Sequence, residues 1–226
     1  MPIKQSYARH GDACATAHAM ELLGDKWTYP VLRELMLGPK RFGQLAASVR
    51  GVTPAVLTAR LREMTRNGLV RPSSLPLPTN AAVYELTDWA RELAPVFESL
   101  GRWAQASPTR TMEGGGLTPD AAVQSMLTMA PHQPLDPPID LTLHLYDGRL
   151  PDDEGYRYRV RWAAHLDIVR GTDTDVTRST VTADSSTWAG VLHQGQPLDE
   201  VDVEGAPGDV EHLVAAFRAP APAHLG

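Results

Sequence analysis

The sequence is short of cysteine and of long apolar runs, and each shortage excludes a class of protein. One cysteine, Cys14, stands in 226 residues, so no intramolecular disulfide framework can form, although two copies could be linked through it. No apolar stretch approaches the roughly 20 residues that a membrane-spanning helix requires. Residues 1–9 lack the apolar segment of a secretory leader, so a cytoplasmic setting without membrane contact is expected. Also missing are the nucleophile elbow, phosphate loop, H-E-x-x-H pair and dinucleotide fingerprint of common enzyme classes. Asp152, Asp153 and Glu154 stand beside Gly155 and read as a solvated turn. His144 and His165 fall on neighbouring predicted strands, but no third residue at ligand spacing joins them. No enzyme activity, cofactor or metal is therefore expected.

What is present is enough for a core and for two domains. Hydrophobic residues make up 42% of the chain, which excludes global disorder. The net charge of −6 conceals a division. Residues 1–110 carry 14 lysines and arginines against 9 acidic residues, net +5, and residues 111–226 carry 7 against 18, net −11. Opposite signs in the two halves point to two domains with different partners, and only the basic half suits phosphates. The expected division is a domain over 1–106, a linker over 107–117 and a second domain over 118–220.

The basic half is organised by the stretch from Arg41 to Asn67. A short helix, Arg41–Val49, turns at Gly51 into a second helix over Thr53–Asn67. Thr53 is its cap, Pro54 occupies the first helical position, and Asn67–Gly68 stops it. Leu57, Leu61 and Met64 share one face, while Thr58, Arg60, Arg62 and Arg66 lie mostly elsewhere. Helices are also predicted over residues 12–23 and Trp27–Leu37. After Gly68, a short strand at Leu69–Arg71, a proline-rich loop over 72–80 and a return strand at Val83–Leu86 complete a winged helix-turn-helix. The tip of this wing carries no charge, and Arg71 at its base is the one evident phosphate contact. A helix from Thr87 to Gln105 then presents Trp89, Leu93, Val96, Phe97, Leu100 and Trp103 as an apolar stripe, with Pro95 expected to kink it or cost a hydrogen bond. Such a surplus stripe suits a dimer face shared with the helix at Cys14, unless the second domain covers it.

The acidic half reads as an α+β domain, an antiparallel sheet with one helix-covered face. A helix begins at Thr118–Pro119–Asp120. Ile139, Leu141, Leu143 and Leu145 alternate with polar residues, as do Tyr156, Tyr158, Val160 and Trp162. Strands follow at His165–Arg170, Thr174–Asp184 and Glu200–Glu204, and helices at Ser186–Leu192 and Gly208–Phe217.

The run Leu23-Gly24-Asp25-Lys26-Trp27-Thr28, then Gly38-Pro39-Lys40-Arg41-Phe42-Gly43-Gln44-Leu45, Gly51-Val52-Thr53-Pro54, Val56 through Met64, Asn67-Gly68-Leu69-Val70 and Tyr84-Glu85-Leu86-Thr87 resembles the HxlR family of bacterial winged-helix regulators. The resemblance covers residues 12–105. It implies a homodimer on an inverted repeat of double-stranded DNA, with Pro54–Met64 as recognition helix and Thr87–Trp103 plus the Cys14 helix as dimer interface. Asn80-Ala81-Ala82 and Trp89 depart from the family pattern. Residues 118–217 are similar to a sterol-carrier-like fold, through the strand order, Trp188-Ala189-Gly190-Val191-Leu192, Gly195 and Gly208–Phe217. That likeness implies a tunnel for an apolar or aromatic small molecule.

Side-chain chemistry assigns the roles. Ala55, Thr58, Ala59 and Arg62 are expected at base edges, since arginine can grip guanine with two bonds. Lys40, Arg41, Arg50, Arg60 and Arg66 are expected on phosphates, joined by Thr53 and Arg71. Cys14 is a candidate redox or electrophile sensor or an inert helix residue. Leu143, Tyr146, Tyr158, Trp162, Ile168 and Trp188 are the candidate ligand lining, with simple core filling as the alternative. The expected function is a ligand-responsive dimeric transcriptional regulator; the alternative is a DNA-binding regulator whose second domain mediates protein contacts or stabilises the dimer.

Overall fold

The structure, a computed structural model, describes residues 7–109, 115–150, 155–171 and 177–217. The acidic triplet at 152–154, the centre of the expected linker at 110–114, the expected strand start at 174–176 and the last expected domain residues, 218–220, lie outside these. The chain divides into two compact units, 1–93 and 94–226.

The first unit opens with a 3-10 turn, Tyr7–His10, and α1, Ala15–Leu23, which buries none of its residues. α2, Thr28–Leu35, starts where Asp25 accepts the Trp27 N–H at 2.9 Å. Pro30 falls in its first turn, where no intrahelical bond is lost. α3, Phe42–Ser48, is set by the Gln44 side chain, which accepts the Arg41 N–H at 2.8 Å. α4, Pro54–Arg66, has Thr53 as its cap, accepting from Val56 N, a device that contributes about 1 kcal/mol. Leu57, Leu61 and Met64 are buried, as are Val31, Leu32, Leu35, Leu45 and Leu86 of the same unit. Each such side chain contributes about 1.5–3 kcal/mol on burial.

α4 leads into the hairpin of β1, Val70–Ser74, and β2, Ala82–Leu86, paired antiparallel with Arg71 opposite Glu85. Both strands extend further toward the tip than the sequence predicts. Pro72 is tolerated in β1 because β1 is an edge strand, paired with β2 alone. Lys40 bridges β2 through paired bonds with Tyr84, tying the start of α3 to the wing. The single helix expected from Thr87 to Gln105 is instead two. α5, Asp88–Arg91, is capped by Thr87 and ends at Glu92, and the helix α6, Ala94–Gln105, belongs to the second unit. Pro95 accounts for the break: it sits in the first turn of α6, where its missing N–H costs nothing, rather than inside one long helix.

In the second unit α6 packs against α7, Pro119–Met129. Gly101 permits the close approach, since a Cβ there would stand 2.8 Å from Thr128 Cγ2. Arg102 donates to the Thr128 carbonyl at 2.7 Å beside it. The sheet comprises β3, Ile139–Tyr146, β4, Tyr156–Trp162, β5, Leu166–Arg170, β6, Ser179–Asp184, and β7, Asp202–Gly205, in the order β5-β4-β3-β6-β7. α8, Ser185–His193, and α9, Pro207–Phe217, join α7 in covering it. The α+β architecture is as expected, with one departure: β3 and β6 run parallel at the centre of an otherwise antiparallel sheet. The alternation along β3 and β4 places Leu141, Leu143, Leu145, Tyr158, Val160 and Trp162 in the core.

Candidate nucleic-acid interface

α4 buries one stripe and leaves the rest of its surface open. Ala55, Ala59, Arg62 and Arg66 are exposed, and Thr58 is half-buried with its hydroxyl donating to the Pro54 carbonyl at 2.8 Å. The cap residue Thr53 is exposed at the start of the helix, and Arg41 and Arg50 are exposed at the two ends of α3. Arg71 is exposed on the wing but held by Glu85, Nε to Oε1 at 2.8 Å. The helix-turn-helix core thus presents one open face bearing several guanidinium groups and short side chains, a surface that suits groove entry with phosphate contacts at its margins.

Two residues expected on phosphates are placed elsewhere. Lys40 is 1% exposed, its Nζ 2.6 Å from Glu34 Oε2, and Arg33 holds the other oxygen of the same carboxylate at 2.9 Å. A lysine after Gly38–Pro39 looks like surface charge in the sequence, yet the bridge to Tyr84 draws its backbone under the wing, and the buried carboxylate of Glu34 completes its surroundings. Arg60 is likewise engaged: its guanidinium pairs with Asp25 and with Glu63, the latter at 2.9 Å. Its Nε is buried without a partner among the described residues. Lys40 and Arg60 therefore brace the unit. Arg60 in particular ties α4 to the loop before α2 and so fixes the angle at which α4 is presented.

The residues proposed for dimerisation fall in both units and stay largely open. Trp89, Val96, Leu100 and Trp103 are exposed, Trp103 at 77%, and Leu93 and Phe97 are half-buried. Within the first unit, Leu22, Leu23, Leu69, Trp89 and Leu93 line an apolar cavity of about 210 Å³ with Glu92 at its edge. Cys14 is exposed at the start of α1, facing a second cavity of about 310 Å³ with Tyr7, His18 and Glu21. Hydrogen bonding from the Ala17 and Thr16 amides lowers its thiol pKa below the ordinary value, the direction expected at the positive end of a helix.

The candidate ligand residues of the sheet domain are predominantly core. Leu143, Tyr158, Trp162, Ile168 and Trp188 are buried, and Tyr146 is half-buried. Trp162 Nε1 donates to the Gln133 carbonyl at 3.1 Å, and Trp188 Nε1 lies 3.4 Å from Met126 Sδ. Tyr158 donates its hydroxyl to Asp120 at 2.5 Å, and Arg170 grips the same carboxylate at 2.6 and 2.9 Å while stacking on Tyr156 at 4.3 Å. In the sequence Asp120 reads only as a residue of a capped helix start. Its position two residues after the cap Thr118 gives no sign that it is fully buried and links α7 to β4 and β5. No group of three or more potential metal ligands occurs among the described residues, and no described helix is long and apolar enough to cross a membrane.

Comparison with known proteins bears on the first unit and on α6. The family of HxlR-like helix-turn-helix domains matches residues 22–112. An uncharacterized helix-turn-helix transcriptional regulator of Synechocystis is 37% identical over 90 residues, which span 40% of this chain and 67% of that protein. The regulator YodB of Bacillus subtilis is 33% identical over 86 residues, 38% of this chain and 77% of YodB. Among solved structures, reduced YodB aligns at 29% identity and a TM-score of 0.40, covering 43% of this chain and 97% of that one. YodB has also been solved bound to quinone, a structure that aligns at 28% identity and a TM-score of 0.36, covering 41% of this chain and 97% of that one.

Proposed function

Because the chain belongs to the HxlR-like helix-turn-helix family, we propose that it is a homodimeric transcriptional regulator, not an enzyme, that reads an inverted-repeat operator with α4. The observation that carries this is the open face of α4, with Arg62 and Arg66 exposed beside Ala55, Thr58 and Ala59 over a fully apolar opposite face. Arg62 reads base edges; Arg41, Arg50, Arg66, Arg71 and the exposed end at Thr53 hold phosphates. Two such helices related by a two-fold axis would enter successive grooves about 34 Å apart. The Trp89–Trp103 stripe and the α1 region around Cys14 supply the interface between copies, and the site of action is the cytoplasm.

The relative YodB binds quinone in one solved form, and response to an apolar or aromatic small molecule is carried to this chain as part of the proposal. In the sheet domain, a sterol-carrier-like tunnel would take such a molecule beside Tyr146, Trp162 and Trp188. A second reading is favoured by one observation: Tyr158 and Trp162 have their polar atoms satisfied inside the core. On that reading the domain stabilises the dimer or contacts another protein. Binding of a ligand could regulate only by favouring one of two states that it distinguishes.

The test is selection of duplexes from a random pool by the full chain, followed by titration of selected and random DNA. Arg62→Ala should lose about 1–3 kcal/mol, roughly 5- to 150-fold, on the selected duplex and little on random DNA. Arg41→Ala should weaken both alike and lower the salt slope by about one. Equal losses on both duplexes for Arg62→Ala would remove Arg62 from base reading. Failure of the full chain to enrich any sequence would end the DNA-reading proposal.

A further inference from the structure

Beyond Arg71 at its base, the wing takes no part in the proposed DNA contacts. Between Arg71 and Glu85 no side chain carries charge, so the tip cannot neutralise phosphates. What it offers instead is Leu77, 82% exposed. Pro76 and Pro78 flank it, restricting the backbone on both sides. The loop is closed beneath it by Leu75 N–H to the Ala81 carbonyl at 2.9 Å and Asn80 N–H to the Pro76 carbonyl at 3.3 Å. Asn80 takes the left-handed conformation, φ 38°, in which asparagine is among the best tolerated residues. An isolated exposed leucine is ordinary. One displayed at the apex of a closed, uncharged, proline-bracketed loop, on the hairpin that follows α4, is a shaped apolar point.

We propose that Leu77 is a minor-groove wedge: the wing tip enters the groove adjacent to the one occupied by α4, and the leucine side chain presses between base pairs and kinks the duplex. The proposal rests on α4 reading DNA. Reach favours it. β1 has five residues and so spans about 16 Å at 3.3 Å per residue, close to half of a ~34 Å duplex turn, the offset between a major groove and its neighbouring minor groove. Chemistry favours it too, because the groove floor offers sugar and base edges that accept an apolar side chain without a charged partner. Apolar wedges of this kind open kinks of about 20–90°. Pyrimidine–purine steps unstack most easily, so the wedge would confer preference for TA or CA steps without a hydrogen bond to any base. A preformed loop loses little freedom on insertion, which keeps the cost of docking low.

The experiment uses the full chain and a selected duplex carrying fluorophores at both ends, with energy transfer reporting the bend and anisotropy the affinity. Wild type should bend the duplex, and Leu77→Ser should bind about tenfold more weakly, bend it less and lose any preference for a TA step under the wing. Its salt slope should match wild type, since no phosphate contact is removed. Leu77→Phe should retain the bend. Thermal melting of both variants should equal wild type, because the side chain is exposed. Equal bending and affinity for Leu77→Ser and wild type would overturn the wedge while leaving base reading by α4 intact, as the Arg62→Ala loss would then still be seen. A reduced salt slope for Leu77→Ser, or a change in sedimentation without DNA, would also overturn it, the second by assigning the leucine to contact between copies. A wild-type chain that shows no sequence preference would overturn both proposals together.

Discussion

Replacing Lys40 by methionine separates a bracing role from a DNA contact. The Lys40 ammonium and the Glu34 carboxylate are both buried and 2.6 Å apart. Removing one member of a buried pair leaves the other charge in a poor solvent, which costs about 3–5 kcal/mol. Arg33 continues to hold Glu34 Oε1 at 2.9 Å, so Lys40→Met should fall near the lower bound, about 3 kcal/mol. Glu34→Gln leaves a buried ammonium facing an amide and should cost more, placing the two variants in a defined order. For a unit of this size, 3 kcal/mol corresponds to a melting shift of roughly 12–24 °C. The double variant Glu34→Leu/Lys40→Met removes both charges and should recover much of the loss. Hydrogen exchange read by peptide, in parallel with urea melts, localises the effect: protection should fall in α2, α3 and the wing while the sheet domain is unchanged. A phosphate-binding Lys40 gives the opposite pattern, namely stability within about 0.5 kcal/mol of wild type and a salt slope for DNA binding reduced by about one. That pattern would refute the bracing role.

Two further perturbations probe the other unit and α1. Asp120→Ala takes the carboxylate from the half-buried Arg170 and the buried Tyr158 hydroxyl and should destabilise the sheet domain by about 3 kcal/mol in urea melts, with Asp120→Asn milder; a change below about 1 kcal/mol would show that the cluster bears no load. Cys14 should alkylate with a pH midpoint below that of the urea-unfolded chain, because the Ala17 and Thr16 amides favour its thiolate. The thiolate fraction then rises from lower pH in the folded state, and equal midpoints in folded and unfolded chains would contradict the arrangement at the start of α1.

Periodicity carried most of the fold. The Leu57–Leu61–Met64 stripe, the Thr53 cap and the alternation along β3 and β4 are local patterns, and each element formed where its pattern lies. The departures involve partners that lie outside the repeat of a single helix or strand. Pro95 reads in the sequence as a kink or a lost hydrogen bond inside one helix, whereas the structure puts it in the first turn of α6, which packs on α7 at Gly101. The parallel pairing of β3 with β6 leaves no mark in either strand, since alternation is the same whichever way a neighbour runs. Arg60 and Lys40 look like any surface cation until Asp25 and Glu34 are brought to them, while Arg62, which pairs with no acid among the described residues, is exposed as expected. Asp120 is illegible for the same reason: its buried carboxylate is held by Tyr158 and Arg170, 38 and 50 residues away. Charged side chains are thus the least legible part of a sequence when tertiary ion pairs compete with the surface.

The central position of β3 has a consequence during synthesis. Its hairpin partner β4 follows at once, but its other neighbour, β6, begins at Ser179, 33 residues after Tyr146. At about 5–20 residues per second, the leucine-rich strand waits some two to seven seconds with one row of amides and carbonyls unmatched. Over that interval nascent chains on one message could pair through it, so slower translation between Tyr146 and Ser179 would favour tangled rather than native product.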